Sequence, residues 1–99
     1  MDITNAITAF EALSQETRLE TLRLLVKAGP RGLPAGVIAE QLGCRQNTLS
    51  SHLKVLHQAG LIEAEREGRS IYYSVSFGAV RALIDFLMED CCADDACAA

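Results

Sequence analysis

Tryptophan is absent from this 99-residue chain, aromatic residues make up only 5% of it, and proline occurs twice. A core with so few rings must be built from Leu, Ile, Val and Ala, which fits a hydrophobic content of 49% and favours helices. No apolar run approaches the roughly 20 residues that span a bilayer. The opening stretch MDITNAITAFEAL has neither the basic start nor the long apolar segment of a secretory signal, so a soluble, cytoplasmic protein without a membrane partner is expected. Catalytic signatures are missing too: there is no nucleophile elbow, phosphate-binding loop or HExxH. A thiol enzyme would need a base near Cys91, and both histidines stand far from it in sequence. Neither an enzyme nor an organic cofactor is expected. The length suits one domain, residues 1–99, with little to spare for a second function.

Positive charge is also scarce. Nine Lys and Arg against thirteen Asp and Glu leave a net charge of −4, which argues at first against nucleic acid, since phosphate contacts need cations. The distribution reverses that impression. Arg31, Arg45, Lys54, Arg66 and Arg69 face Glu40, Glu63, Glu65 and Glu67 over residues 31–75, whereas residues 76–99 hold Arg81 against Asp85, Glu89, Asp90, Asp94 and Asp95. The acidity belongs to the C-terminal part, and the middle is available for DNA.

The periodicity predicts about five helices and one hairpin. Thr4 or Asn5 can cap a first helix through about Leu13, with Ala6, Ile7, Ala9, Phe10 and Leu13 as a broad apolar face that suggests a partner surface. Ser14 is a good cap for a second helix over Gln15 to Ala28, with Leu19, Leu22, Leu25 and Val26 at helical spacing and Gly29-Pro30 as its stop. Pro34 suits the first turn of a third helix to Leu42, with Val37, Ile38, Ala39 and Leu42 inward and Gly43 as terminator. Asn47 can cap a fourth, in which Leu49, Leu53 and Leu56 repeat up to Gly60. Helix, tight Gly-containing turn and helix make a helix-turn-helix. Leu61–Glu65 and Ser70–Val75 read as strands joined by Arg66-Glu67-Gly68-Arg69, a wing. The last helix, about Phe77 to Asp90, carries a stripe of Val80, Leu83, Ile84, Leu87 and Met88, with Ala79, Ala82 and Phe86 on the opposite side. Two apolar faces on a terminal helix fit packing against its own domain and against another subunit. The predicted fold is therefore mainly α with a β-hairpin wing, a winged helix-turn-helix that dimerises through its terminal helices.

With the leucine stripe of the fourth helix turned to the core, Gln46, Asn47, Thr48, Ser50, Ser51 and Lys54 are left on its outer side near the N-terminus. Such side chains have the reach for base edges and phosphates in a major groove of double-stranded DNA. His52 fits a groove-facing or core-edge position and His57 the surface; five residues apart, they do not share a face as a metal pair would. Arg66 and Arg69 at the wing suit phosphate or the minor groove. The alternatives are an ordinary solvated helix face, or a winged helix that binds protein partners.

These residues resemble the ArsR/SmtB family of metal-responsive repressors. The resemblance lies in Pro34–Gly43 (PAGVIAEQLG), Asn47–Leu56 (NTLSSHLKVL), Ala59–Ile62 (AGLI), Glu67–Tyr73 (EGRSIYY) and the opening Leu13–Leu19 (LSQETRL), and covers nearly the whole chain. It implies a homodimer that represses an operon and leaves its operator when the inducing ion binds. Two sensor sites of the family are missing here. The third helix has no Cys-x-Cys motif between Leu33 and Ala39, and the last helix has no histidine.

The cysteines remain. Nothing marks the chain for export, so thiols or metal ligands are a better reading than disulfides. Cys44 stands alone and reads as a small buried hydrophobe, while Cys91, Cys92 and Cys97 crowd the last nine residues, in a tail from about residue 89 to 99. Neighbouring cysteines on a helix end diverge by about 100°, and Ala93–Ala96 is a flexible enough link for Cys97 to fold back. Three thiolates without a histidine suit the pyramidal coordination of trivalent arsenic or antimony. Zinc would need Asp90, Asp94, Asp95 or water as a fourth ligand. Arsenite is therefore the expected inducer, in three-thiolate coordination. A thiol redox sensor, another soft metal and an idle tail are the alternatives.

Overall fold

The computed structural model describes residues 1–93, which form five helices and a three-stranded antiparallel sheet. Helix α1 (Ile3–Leu13) starts two or three residues earlier than Thr4 or Asn5 would allow as caps. The Asp2 carboxylate accepts the Asn5 backbone N–H at 2.8 Å and takes that role. Helix α2 (Glu16–Ala28) is capped by Gln15, whose side chain accepts from the Arg18 N–H at 2.9 Å. Ser14, expected as this cap, is consumed by the preceding helix: its hydroxyl donates to the Glu11 carbonyl at 2.8 Å and closes α1. Only two residues separate the helices, so one polar side chain serves each end.

A strand absent from the sequence reading follows. β1 (Leu33–Pro34) pairs with the second hairpin strand, Leu33 opposite Tyr73 and Pro34 opposite Tyr72. Two residues are too few to show a period, and Pro34 is extended (φ −74°, ψ 154°) rather than helical. Gly32 makes the approach possible. Its φ is +74°, and a Cβ there would overlap the Tyr73 carbonyl.

Helix α3 (Ala35–Leu42) ends on left-handed Gly43 as expected, and α4 (Gln46–Gln58) follows after three residues. The cap of α4 is Arg45, without a side-chain bond, rather than Asn47, which lies inside the first turn and accepts the Thr48 N–H with its own Oδ1. Strand β2 runs Ile62–Glu67 and β3 Ser70–Val75, in sheet order β1-β3-β2. The hairpin turn is thus only Gly68-Arg69, tighter than the four residues expected, and Arg66 sits in the strand opposite Ile71. Helix α5 (Phe77–Met88) stops two residues before Asp90.

Leu25, Ile38, Leu49, Leu53, Leu56 and Leu61 are buried to 2% exposure or less and, with Leu22, Ile62, Val75 and Leu83, form one core. Thr21 is buried among them, its hydroxyl donating to the Thr17 carbonyl at 2.7 Å. Three apolar expectations fail in part: Val37, expected inward, is exposed, as are Leu19 and Val26. The terminal helices divide their apolar residues. Helix α1 buries Ala6, Ala9 and Ala12 and exposes Ile3, Ile7 and Phe10; α5 buries Leu83 and exposes Ile84, Leu87 and Met88. Small alanines let α1 approach the core closely, which turns its large side chains outward. No helix among the described residues is long and apolar enough to cross a membrane.

Candidate nucleic-acid interface

The orientation of α4 follows from its three leucines. Leu49, Leu53 and Leu56 at i, i+4 and i+7 are buried against α2, α3 and the sheet, so the opposite side must face solvent. Gln46, Asn47, Thr48, Ser50, Ser51 and Lys54 are all exposed. Ser50 donates its hydroxyl to the Gln46 carbonyl at 3.0 Å, which leaves its oxygen as an acceptor. Arg45 makes no side-chain cap and the Thr48 N–H is taken by Asn47 Oδ1, so the Gln46 and Asn47 backbone N–H groups are the donors that, with the positive dipole end, α4 adds to this surface.

Gln46 and Ser50 line a groove whose other wall is the wing: Arg69, Ser70, Ile71 and Tyr73, with Pro34, Ala35 and Gly36 at its floor. The strand register sorts the charges of the hairpin. Successive residues alternate faces, so Arg66 with Ile71, Ala64 with Tyr73 and Ile62 with Val75 share the side that continues into the core and groove. Glu63, Glu65 and Glu67 share the other side with Ser74, Tyr72 and Ser70. A segment with mixed charge in sequence becomes a hairpin with one cationic and one anionic face. Arg69, at the turn, and Arg66, in the strand, are both exposed and belong with α4.

Two further cations are placed by contacts that only the fold makes: Arg31, counted in the sequence among the central cations, and Arg18, which has no assigned role there. The Arg31 guanidinium lies over the Tyr72 ring, 5.2 Å from its centroid, on the anionic side of the wing. Arg18 on α2 donates through Nε to the Ala12 carbonyl at 2.6 Å, and its Nη1 is 3.4 Å from Nδ1 of His52. His52 is accordingly half-buried, at the edge of the recognition helix, while His57 is exposed. No local signal could have revealed a contact across 34 residues of sequence.

The thiols lie at the far end of the chain. Cys91 and Cys92 are both exposed, with sulfurs 3.5 Å apart. They do not diverge as residues on a helix end would, because α5 has already stopped and the turn beyond it places Asp90 and Cys92 at positive φ, 60° and 64°. Cys97, Asp94 and Asp95 lie outside the described residues. Among the described residues no group of three or more His, Cys, Asp or Glu side chains is arranged to hold a metal ion. Cys44 is half-buried against the core.

Comparison with known proteins agrees with this fold. A helix-turn-helix domain model matches residues 13–65. The transcriptional repressor SdpR of Bacillus subtilis is 37% identical over 80% of this chain and 84% of its own. The transcriptional activator HlyU of Vibrio cholerae is 30% identical over 83% and 73%. Among solved structures, an ArsR-like transcriptional regulator from Rhodococcus sp. RHA1 superimposes with a TM-score of 0.79 at 28% identity, covering 93% of this chain and 84% of that one. The homodimeric winged helix-turn-helix DNA-binding domain of Mb0332 from Mycobacterium bovis gives 0.72 at 28% identity, over 89% and 82%. These relatives regulate transcription, and the chain is not an enzyme. It belongs to the ArsR/SmtB-type winged helix-turn-helix transcriptional regulators.

Proposed function

We propose that this regulator is a homodimeric repressor that leaves its double-stranded operator when trivalent arsenic binds Cys91, Cys92 and Cys97. The observation that carries the reading is the pair of exposed thiols 3.5 Å apart just beyond α5. Two thiolates bound to one soft ion at ~2.3 Å each, with an angle between a right angle and a tetrahedral one, stand ~3.3–3.8 Å apart. The donor set therefore fits a chelated soft ion with little rearrangement, and Cys97 would supply the third bond. Support for the dimer comes from α1 and α5, which touch each other and carry Ile3, Ile7, Phe10, Ile84, Leu87 and Met88 exposed. A ligand drawing residues 91–97 onto the end of α5 would act on that surface, and so on the spacing of the two recognition helices.

The test is a titration of reduced protein, bound to a duplex from its own upstream promoter, with arsenite. Affinity should fall by at least about fivefold, and Cys97→Ser should weaken this response more than the response to monomethylated trivalent arsenic, which needs two thiolates. Unchanged DNA affinity at saturating arsenite would end the proposal. The exposure of both thiols also fits a redox reading, in which hydrogen peroxide oxidises Cys97 together with Cys91 or Cys92: an S–S bond forms, the O–O bond breaks, and the two thiol protons leave with the two oxygens as water. Release by hydrogen peroxide but not by arsenite would select it.

A further inference from the structure

Arg18 is fixed by three elements at once. Its backbone N–H is bound by the Gln15 side chain, its Nε donates to the carbonyl of Ala12 in the last turn of α1, and its Nη1 meets Nδ1 of His52 on α4. The Ala12 carbonyl is among the last four of α1, which have no partner inside their own helix. Arg18 and His52 are each half-buried, and the space where α1, α2 and α4 meet is lined by Arg18 with Thr8, Glu11, Ala12, Val55 and Gln58.

Chemistry narrows what His52 can be in this arrangement. A guanidinium has only donors, so a hydrogen bond at this 3.4 Å contact makes Nδ1 the acceptor, which requires the tautomer with its proton on Nε2. The free donor of the side chain is consequently Nε2–H, on a half-exposed residue flanked along α4 by Ser51 and within two residues of Lys54. Side-chain donors of this kind on a recognition helix bind phosphate oxygens and set the register of the protein on the duplex.

We propose that Arg18 is a positioning residue that ties the end of α1 to the recognition helix and holds His52 with Nε2–H directed to a phosphate of the DNA backbone. The inference deepens the DNA-binding reading of α4 and rests on it. It also supplies a physical connection between α1, whose outer face is apolar, and the helix that reads DNA.

Asparagine and glutamine separate the two ring nitrogens. Asn at position 52 keeps a short acceptor in the place of Nδ1 and lacks the reach of Nε2, whereas the longer Gln puts an amide donor near Nε2. Binding of the full-length protein to a mixed-sequence duplex of about three helical turns, followed by fluorescence anisotropy, should weaken by about five- to tenfold in H52N. H52Q should lose less than about threefold, and R18Q about three- to fivefold. The double variant R18Q/H52N should be no weaker than H52N by more than about twofold, because both changes remove one contact. Long-range 15N–1H spectra of the free protein, above the ordinary titration range of histidine, should show the His52 proton on Nε2 in the wild type and a mixture of tautomers in R18Q. Wild-type affinity in H52N, an additive double variant, or a wild-type ring protonated on Nδ1 would each overturn the inference. Should R18Q fail to fold, H52N and H52Q still decide, since neither touches the Ala12 bond. A wild-type protein that binds no duplex would overturn the DNA-binding reading together with the phosphate role, whereas normal wild-type binding with an indifferent H52N removes the Arg18–His52 inference alone.

Discussion

The middle of this molecule and its two ends use aliphatic side chains in opposite ways. On α4, Leu49, Leu53 and Leu56 are buried and every neighbour between them is polar or half-exposed; on α1 and α5 the buried residues are Ala6, Ala9, Ala12 and Leu83, while Ile3, Ile7, Phe10, Ile84, Leu87 and Met88 are exposed. Ile3, Leu87 and Met88 are each about 60% exposed, at 64%, 60% and 59%. One region is finished as a monomer, with a polar surface shaped for another polymer. The other is left apolar on the outside, and contact with water there is unfavourable until something covers it. The difference fits the two kinds of partner proposed above: DNA on the middle, a second copy of the chain on the ends.

The sharpest way to break this contrast is to shorten one residue of each kind. Leu53→Ala should lower stability by about 2–5 kcal/mol, as for buried leucines generally. Ile7→Ala, at 54% exposure, should leave the stability of the monomer within about 0.5 kcal/mol. Urea unfolding at low protein concentration measures both, and comparable losses would erase the distinction between core and interface.

Next in size is the self-association expected of the ends. Leu87→Glu places a charge on the outer face of α5 and should raise the dimer dissociation constant by about tenfold or more, read by sedimentation equilibrium, with secondary structure retained. An unaffected dimer would move the interface away from α5.

The smallest effects test the two faces of the wing. Arg69→Ala should weaken DNA binding by about 1 kcal/mol and reduce the slope of log affinity against log salt by about 1, as loss of one phosphate contact does. Glu65→Gln, on the opposite face, should change affinity by less than about twofold. Equal responses would mean that the strand register does not decide which charges meet DNA.

Much of this was legible beforehand. The helix-turn-helix could be read because Gly43 and the leucine spacing of α4 are strong local signals, and the polar outer face of α4 follows from that spacing alone. Caps were misplaced at Ser14 and Asn47, since several adjacent residues could serve and only the competition between neighbouring helices selects one. Strand β1 was missed because its two residues exist as a strand only in contact with β3. Arg66 was put at the tip of the hairpin because the turn was read as four residues, and pairing of Glu67 with Ser70 shortens it to two.

Local chemistry thus settled the five helices, the hairpin and the polar outer face of α4, because helix periods, glycine stops and turn residues act over a few positions. Folding in three dimensions decided the rest. Arg31 met Tyr72, Arg18 met Ala12 and His52, the glutamates of β2 were gathered on one face, and α1 turned its alanines rather than its isoleucines inward. Each of these depends on two distant segments packing closely, and close packing is a property of the assembled core that no single segment carries.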